Sequence, residues 1–479
     1  MDKPVLSLSK GSEIPFLSAT ELSALIKARE VSPIEATEAY LDRIGQVDSK
    51  LHSYITVCRQ EALAEARQAE REIARGRYRG PMHGIPVAVK DQFYTKGIRT
   101  TGGSAILKDF VPDEDATVIA NLKKAGSVLL GKLNMSEFAS GDAFHHPYGR
   151  PGNPWDLSRN PGTSSSGSGA ATAAFLCATS LGEDTGGSIR GPAAFCGLVG
   201  IRPSYGRVSR YGMLGASWSM DTAGPISRTV ADCAMTLGAI AGHDPKDQYT
   251  WDVPVPDYLA TLNKDVSGLK VGVVRERVYT DVVEPEIRDG VVKAISLLGE
   301  LGATIEDVSI PLIVHSAAIS SAIIMADSVA VHRRGIAEHL GEYDHNIQVR
   351  LLTGSILPAQ AHMKAMRLRH MLRQQILEAL DRADVLVMPT SSIPASPIPS
   401  KAGISSKQEV IDGFAGRRSF TAPFNLANTP ALSIICGFTS NPLPISLQIA
   451  GKPFDEETIF RVAHTYEQAT DWHTRRPPI

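Results

Sequence analysis

Apolar positions recur at helical spacing through the first eighty residues. Ser18-Ala-Thr-Glu21 is a capping-box pattern just ahead of Leu22, Leu25 and Ile26, which predicts a first helix. A second is predicted after Ser32, with Pro33 in its first position, running to about Gln46. A third, amphipathic and rich in Ala, Glu and Arg, is expected from Glu61 to about Arg75. The period then changes. Ile85 to Lys90 reads as a short apolar strand, and Ala116 to Lys124 as a helix feeding a strand at Ser127 to Leu130. The alternation continues with a strand at Leu269 to Val274, a helix from Glu284 to Leu301, and strands near Val385–Met388, Ala431–Cys436 and Ile445–Ile449. A closing helix spans about Asp455 to Gln468. Strands alternating with helices predict an α/β fold, a sheet covered on both faces.

Between Gly149 and Gly224 the chain is rich in Gly, Ser and Pro, as a flexible linker would be. Yet the Ser/Gly run leads straight into Ala170 to Cys177, an apolar stretch of small side chains that reads as a buried helix. With no internal repeat and no clear boundary, residues 1–479 are expected to form one large domain, although length alone would allow about three. In it, 1–80 is a helical segment packed on the body, and 84–225 holds the motifs of chemical interest. Pro389 to Pro399 is expected to be a surface loop. Ile313 to Val331 is the most membrane-like stretch, but His315, Asp327 and several serines make it a buried or pocket-lining helix.

Composition narrows the class of protein. A net charge of −2 with no basic block gives no electrostatic reason to expect a nucleic-acid or membrane surface. With 43% hydrophobic residues, the chain is neither disordered nor a small disulfide scaffold. Cys58, Cys177, Cys196, Cys233 and Cys436 are odd in number and widely spaced, which suits a reducing cytoplasm better than disulfides or a zinc site. The N-terminal MDKPVLSLSKGSEIP lacks the apolar run of a secretion signal.

No G-x-S-x-G surrounds any serine, no H-E-x-x-H occurs, and no His falls into metal-ligand spacing. Gly126 to Leu133 nearly spells a phosphate loop, but it lacks the Ser or Thr that would hold magnesium, and its Val-Leu-Leu interior reads as a strand. His145-His146 reads as a loop on the surface or a pocket wall. Two serine-bearing loops stand out: Pro161-Gly-Thr-Ser164-Ser165-Ser166-Gly-Ser168-Gly169 and Gly182-Glu-Asp184-Thr185-Gly186-Gly187-Ser188-Ile-Arg190. In the second, successive backbone N–H groups could converge on an oxyanion, because glycine permits the dihedrals; a tight turn capped by serine fits the same residues. Lys90 closes an apolar strand. Buried there, its amine would lose charge and could serve as a base; at a solvated strand end it would not.

These segments resemble the amidase signature family, serine hydrolases with a Ser–cis-Ser–Lys triad. Asp184-Thr-Gly-Gly-Ser-Ile-Arg190 matches its nucleophile motif, Gly84 to Asp91 its lysine motif, and Pro161 to Ser168 its P-G-G-S-S-G-G-S core. Asn153-Pro-Trp-Asp156, Arg202 to Ser209, Asp221 to Pro225 and Pro444 to Gln448 also fit, and Ser164 and Ser188 stand the family's 24 residues apart. The resemblance implies a central mixed β-sheet with helices on both faces, with Ser188 as nucleophile, Ser164 as bridging serine and Lys90 as general base. It implies an oxyanion hole from the N–H groups of Thr185, Gly186, Gly187 and Ser188, with Ser165, Asp184 and Arg190 in support, and no metal or cofactor. It places Phe138 and Ser140 on the substrate loop, and composition adds Phe144, Tyr148, Trp218 and parts of 313–345 and 385–425 as pocket walls. Thr163 and Ser166 replace usual glycines, and the Thr163–Ser164 bond is expected to be cis.

The resulting expectation is a cytoplasmic amidase cleaving small neutral amides, aryl or alkyl, or carbamates, through an acyl-enzyme on Ser188. It would take a small-molecule amide, engage no nucleic acid or membrane, and exist as a monomer or homodimer. The loop Ser140 to Tyr148 and the ending Asp471 to Pro478 favour that reading. The alternatives are the A (glutaminase) subunit of a glutamine-dependent tRNA amidotransferase, which shares the triad motifs, and a catalytically dead binding relative.

Overall fold

The computed structural model describes residues 11–479 except 141, 399, 401–402 and 404–417. The first ten residues, read above against a secretion signal, and much of the candidate wall 385–425 lie outside the described residues. The capped helices form as their sequences dictate. Ser18 and Ser32 each close a capping box, with Glu21 and Glu35 reaching back, at the starts of Ala19–Ala28 and Pro33–Leu51.

Eleven strands among the described residues make one sheet. They are β1 Tyr54–Val57, β2 Pro86–Lys90, β3 Val128–Leu133, β4 Thr179–Glu183, β5 Val199–Arg202, β6 Ala223–Ser227, β7 Lys270–Val274, β8 Thr304–Val308, β9 Val385–Pro389, β10 Ala431–Phe438 and β11 Pro444–Gly451. Their order is β1-β3-β2-β4-β6-β5-β10-β11-β9-β7-β8. β3, β2 and β4 run parallel, as do β9, β7 and β8, and the joints between these groups are antiparallel. This is the mixed sheet flanked by helices that was expected. One buried core runs from Leu22 in the first helix to Tyr466 in the last.

The Gly/Ser-rich segment departs most from its sequence reading. The helix expected at Ala170–Cys177 lies earlier, at Ser166–Ala173, and every one of its residues is buried. Its small residues are a packing requirement: a Cβ on Gly167 would collide with the Ser53 carbonyl oxygen and lie 2.5 Å from the Asn134 nitrogen. The chain then turns into β4, which the sequence reading missed along with β1, β5, β6 and β8. Of the expected surface loop Pro389 to Pro399, whose last residue lies outside the described residues, Thr390, Ser391, Ser392 and Ala395 are instead buried. Pro311–Val331 is the one stretch among the described residues long and apolar enough to cross a membrane; half of it is buried, and its helix Ser316–Val331 packs on those at His345–Ser355, Ala359–Arg382 and Arg418–Ala427.

Candidate active site

Lys90 is the last residue of β2 and Glu183 the last of β4, and the two strands are adjacent and parallel. Their ends therefore deliver both side chains to the carboxyl edge of the sheet, where loops gather and ligands commonly bind in α/β folds. Lys90 Nζ donates to Ser164 Oγ at 2.7 Å and to Glu183 Oε2 at 3.1 Å. Lys90 and Glu183 have no solvent exposure, and Ser164 is buried. Burial pushes the Lys90 amine below its ordinary pKa, while the charges of Glu183, Asp184 and Asp221 pull the other way without cancelling the effect. The Thr163–Ser164 peptide bond is cis, as the resemblance implied. Ser165 Oγ lies against β4, 3.4 Å from the Glu183 carbonyl oxygen, a position that Gly182 leaves open.

Ser188 stands on the loop after β4, just before the helix Arg190–Cys196, and is partly exposed where its neighbours are buried. Among the described residues its hydroxyl has no hydrogen-bond partner; the structure joins Lys90 to Ser164 but leaves the Ser188 hydroxyl free. Asp184 organises this loop. Its carboxylate accepts from the N–H groups of Gly187 (2.7 Å), Ile189 (3.2 Å) and Arg190 (3.4 Å). That corrects the expected oxyanion set: the Gly187 N–H is taken by Asp184, so the groups of Thr185, Gly186 and Ser188 remain. Gly187 has φ +120°, and a Cβ there would collide with Thr421 Oγ1, so the bend requires glycine.

Arg190 locks the loop to the distant C-terminal segment. Its guanidinium donates to Asp184, to the Thr421 carbonyl, to Gln448 Oε1 and to Asn425 Oδ1, all out of solvent. Burial alone would raise the Asp184 pKa, but Arg190, Arg202 and Asn425 hold it well below the usual carboxylate range.

Asp221, which the sequence reading placed in a family motif without giving it a role, is a second buried carboxylate near Lys90. It accepts from the N–H groups of Ala216 (2.8 Å) and Ser217 (2.9 Å), and from Thr185 Oγ1 at 2.7 Å. Burial and the nearby Glu183 charge push it up to about 7. The folded chain therefore keeps a proton that the unfolded chain releases near pH 4, so this group's contribution to stability falls as pH rises from about 4 to about 7. Asp221→Asn should remove that slope. Melting temperatures taken from about pH 4.5 to about pH 7.5 should show the wild type losing ground to the variant, and parallel curves would refute the assignment.

The candidate substrate residues are spread out. Phe138 (φ 46°) is buried against His332 and Tyr343, with ring centroids 4.9 and 5.5 Å away. The Ser140 carbonyl accepts from Arg350. Phe144 lies under the Arg150 guanidinium, and Tyr148 donates to the Ser104 carbonyl at 2.9 Å. Trp218 is 58% exposed and packs on Tyr249 and Arg210. The 313–345 wall does reach the reactive loop, since Ile324 Cδ1 sits 3.7 Å from where a Gly186 Cβ would be. Lys132, in the near-phosphate motif, is instead a buried β3 residue paired with Asp91 at 3.3 Å.

A lysine at the carboxyl end of β2 touching a buried serine, with a second serine on the glycine bend after β4, is the arrangement expected of an amide hydrolase. The family model for amidases matches residues 35–460, and the chain belongs to the amidase family. Among its relatives is the A subunit of glutamyl-tRNA(Gln) amidotransferase from Geobacter sp. (strain M21), 41% identical over 98% of this chain and 100% of its own. Among solved structures, the subunit of the same name from Thermotoga maritima is 33% identical, with TM-score 0.80 over 95% of each chain. A chain from a vestigial complex described as revealing the origins of an s-triazine catabolic enzyme superimposes with TM-score 0.87 at 29% identity, over 95% of this chain and 98% of that one. These relatives overturn one expectation. A small amide as sole partner, with no nucleic acid and at most a second copy of the chain, does not fit the name of a subunit of an enzyme for glutamyl-tRNA.

Proposed function

We propose that this chain is the amide-cleaving A subunit of a glutamine-dependent tRNA amidotransferase, working in the cytoplasm beside protein partners. The observation that carries the reading is identity of 41–42% to subunits of that name along 98% of the chain. The chemistry follows from the site. With Lys90 neutral, Ser188 Oγ attacks the glutamine side-chain carbonyl as its proton passes to Ser164 and the Ser164 proton to Lys90. The N–H groups of Thr185, Gly186 and Ser188 receive the oxyanion, ammonia leaves with the Lys90 proton, and water releases glutamate by the reverse relay. The ammonia passes on to the partner that uses it. Five buried, unpaired cysteines suit a reducing compartment.

Affinity purification of the tagged chain from its own cells should bring down partner subunits, and the assembly should release ammonia from glutamine at least about tenfold faster than the chain alone, which is more than 1 kcal/mol at the barrier. A partner-free chain that turns over anilides or carbamates rapidly would instead restore the aryl-amide or urethane reading.

A further inference from the structure

The three-member relay leaves Glu183 without a task, although it is the residue on which the buried amine rests. Lys90 Nζ has two polar contacts, Ser164 Oγ at 2.7 Å and Glu183 Oε2 at 3.1 Å. The second oxygen, Oε1, accepts from the Thr185 hydroxyl, and that same hydroxyl lies 2.7 Å from Asp221 Oδ1. A threonine hydroxyl has one hydrogen to give. For both contacts to be hydrogen bonds, one of the two carboxyls must itself carry a proton. Glu183 faces the amine, so the proton belongs on Asp221, and the cluster presents a single negative charge to Lys90.

We propose that Glu183 is a positioning residue of the reaction, holding Lys90 Nζ against Ser164 and facing the positive charge that the amine gains as Ser188 loses its proton. The proposal rests on the reading of Lys90 as base. During the step the Ser188 O–H bond breaks and one forms on Ser164, whose own O–H breaks as an N–H bond forms on Lys90. Glu183 gains and loses nothing; its carboxylate makes the resulting ammonium tolerable out of water, much as the aspartate of a Ser-His-Asp triad steadies its imidazolium. Thr185 and Asp221 fix the carboxylate from behind.

The other charges around the amine are already committed. Asp91, next on the chain after β2, pairs with Lys132 of β3. Asp184 pairs with Arg190 at 3.0 Å, and Arg202 of β5 donates to the Asp184 and Met220 carbonyls. Glu183 is the only carboxylate within 4.0 Å of Lys90 Nζ among the described residues.

Glu183→Gln keeps the shape and removes the charge. In the full chain it should lower kcat about 10²-fold or more with KM little changed, since loss of an orienting carboxylate can cost about 10⁴-fold. Without the facing charge the Lys90 ammonium is less stable, so the acid limb of the rate–pH profile should move to lower pH. That limb is read independently of substrate from the rate of Ser188 labelling by a fluorophosphonate probe. Glu183→Asp, which keeps a carboxylate, should restore the limb toward wild type even if the Gln variant folds poorly. An unmoved acid limb in both variants overturns the proposal, whether or not kcat falls. Lys90→Ala is the control on the underlying reading: full labelling there would refute Lys90 as the base itself, separately from Glu183.

Discussion

Ser188→Ala is expected to reduce amide turnover by at least about 10⁴-fold, because removing the nucleophile of a serine relay leaves only binding and oxyanion stabilisation. The fold should be unaffected. Ser188 is partly exposed, and among the described residues its hydroxyl has no partner to lose. The variant should melt within about 1 kcal/mol of wild type, as substitutions away from buried features do. Activity and fluorophosphonate labelling, measured beside a melting curve, separate a chemical loss from a structural one. Wild-type turnover in a correctly folded Ser188→Ala protein would end the assignment of the nucleophile.

The largest loss of stability is expected from Arg190→Met. The guanidinium neutralises Asp184 at 3.0 Å and also satisfies Thr421, Asn425 and Gln448, with nothing exposed. Methionine fills much of the volume but leaves Asp184 with Arg202, at 3.9 Å, as its one nearby cation among the described residues. Breaking a buried pair by removing one partner costs about 3–5 kcal/mol. Chemical denaturation should show a loss of that size, or the protein should fail to accumulate. Adding Asp184→Asn should recover part of it, since the carboxylate facing the missing guanidinium is then uncharged. If Arg190→Met were as stable as wild type, this cluster would not be what fastens the reactive loop.

Which features could be read in advance follows from where the information lies. The first helices announce themselves locally, through Ser18 and Ser32 with glutamates three residues on. β4, β5 and β6 do not. Thr179–Glu183 and Ala223–Ser227 are short, carry Gly, Ser and Pro, and are buried throughout. In the middle of a sheet overlaid by a tightly packed helix, small residues replace the β-branched runs by which strands are usually recognised. The site divides the same way. Lys90, Ser164 and Ser188 lie in motifs that stand out in the sequence, whereas Glu183 meets Lys90 only because β2 and β4 are neighbours. Asp221 reaches the cluster because β6 returns antiparallel beside β4, pairing Ala223 with Glu183. In the segments weighed in favour of a free amidase, Ser140–Tyr148 and Asp471–Pro478, Phe144 lies under Arg150 and Trp472 packs on Phe438 and Arg475. They report on local packing, and similarity along the whole chain pointed to the amidotransferase instead.

The fastening of the reactive bend by Thr421, Asn425 and Gln448 has a consequence for biosynthesis. The ribosome adds roughly 5–20 residues per second, so these partners emerge many seconds after Asp184 and Arg190 have left the exit tunnel. Until then the aspartate–arginine pair lacks the amide and carbonyl groups that complete it, and β5 waits for β10, whose Ala431 pairs with Arg202. A nascent chain therefore carries all three relay residues well before it can hold them in working order. Hydrolytic competence is therefore expected only once Thr421, Asn425 and Gln448 have joined the fold around Arg190.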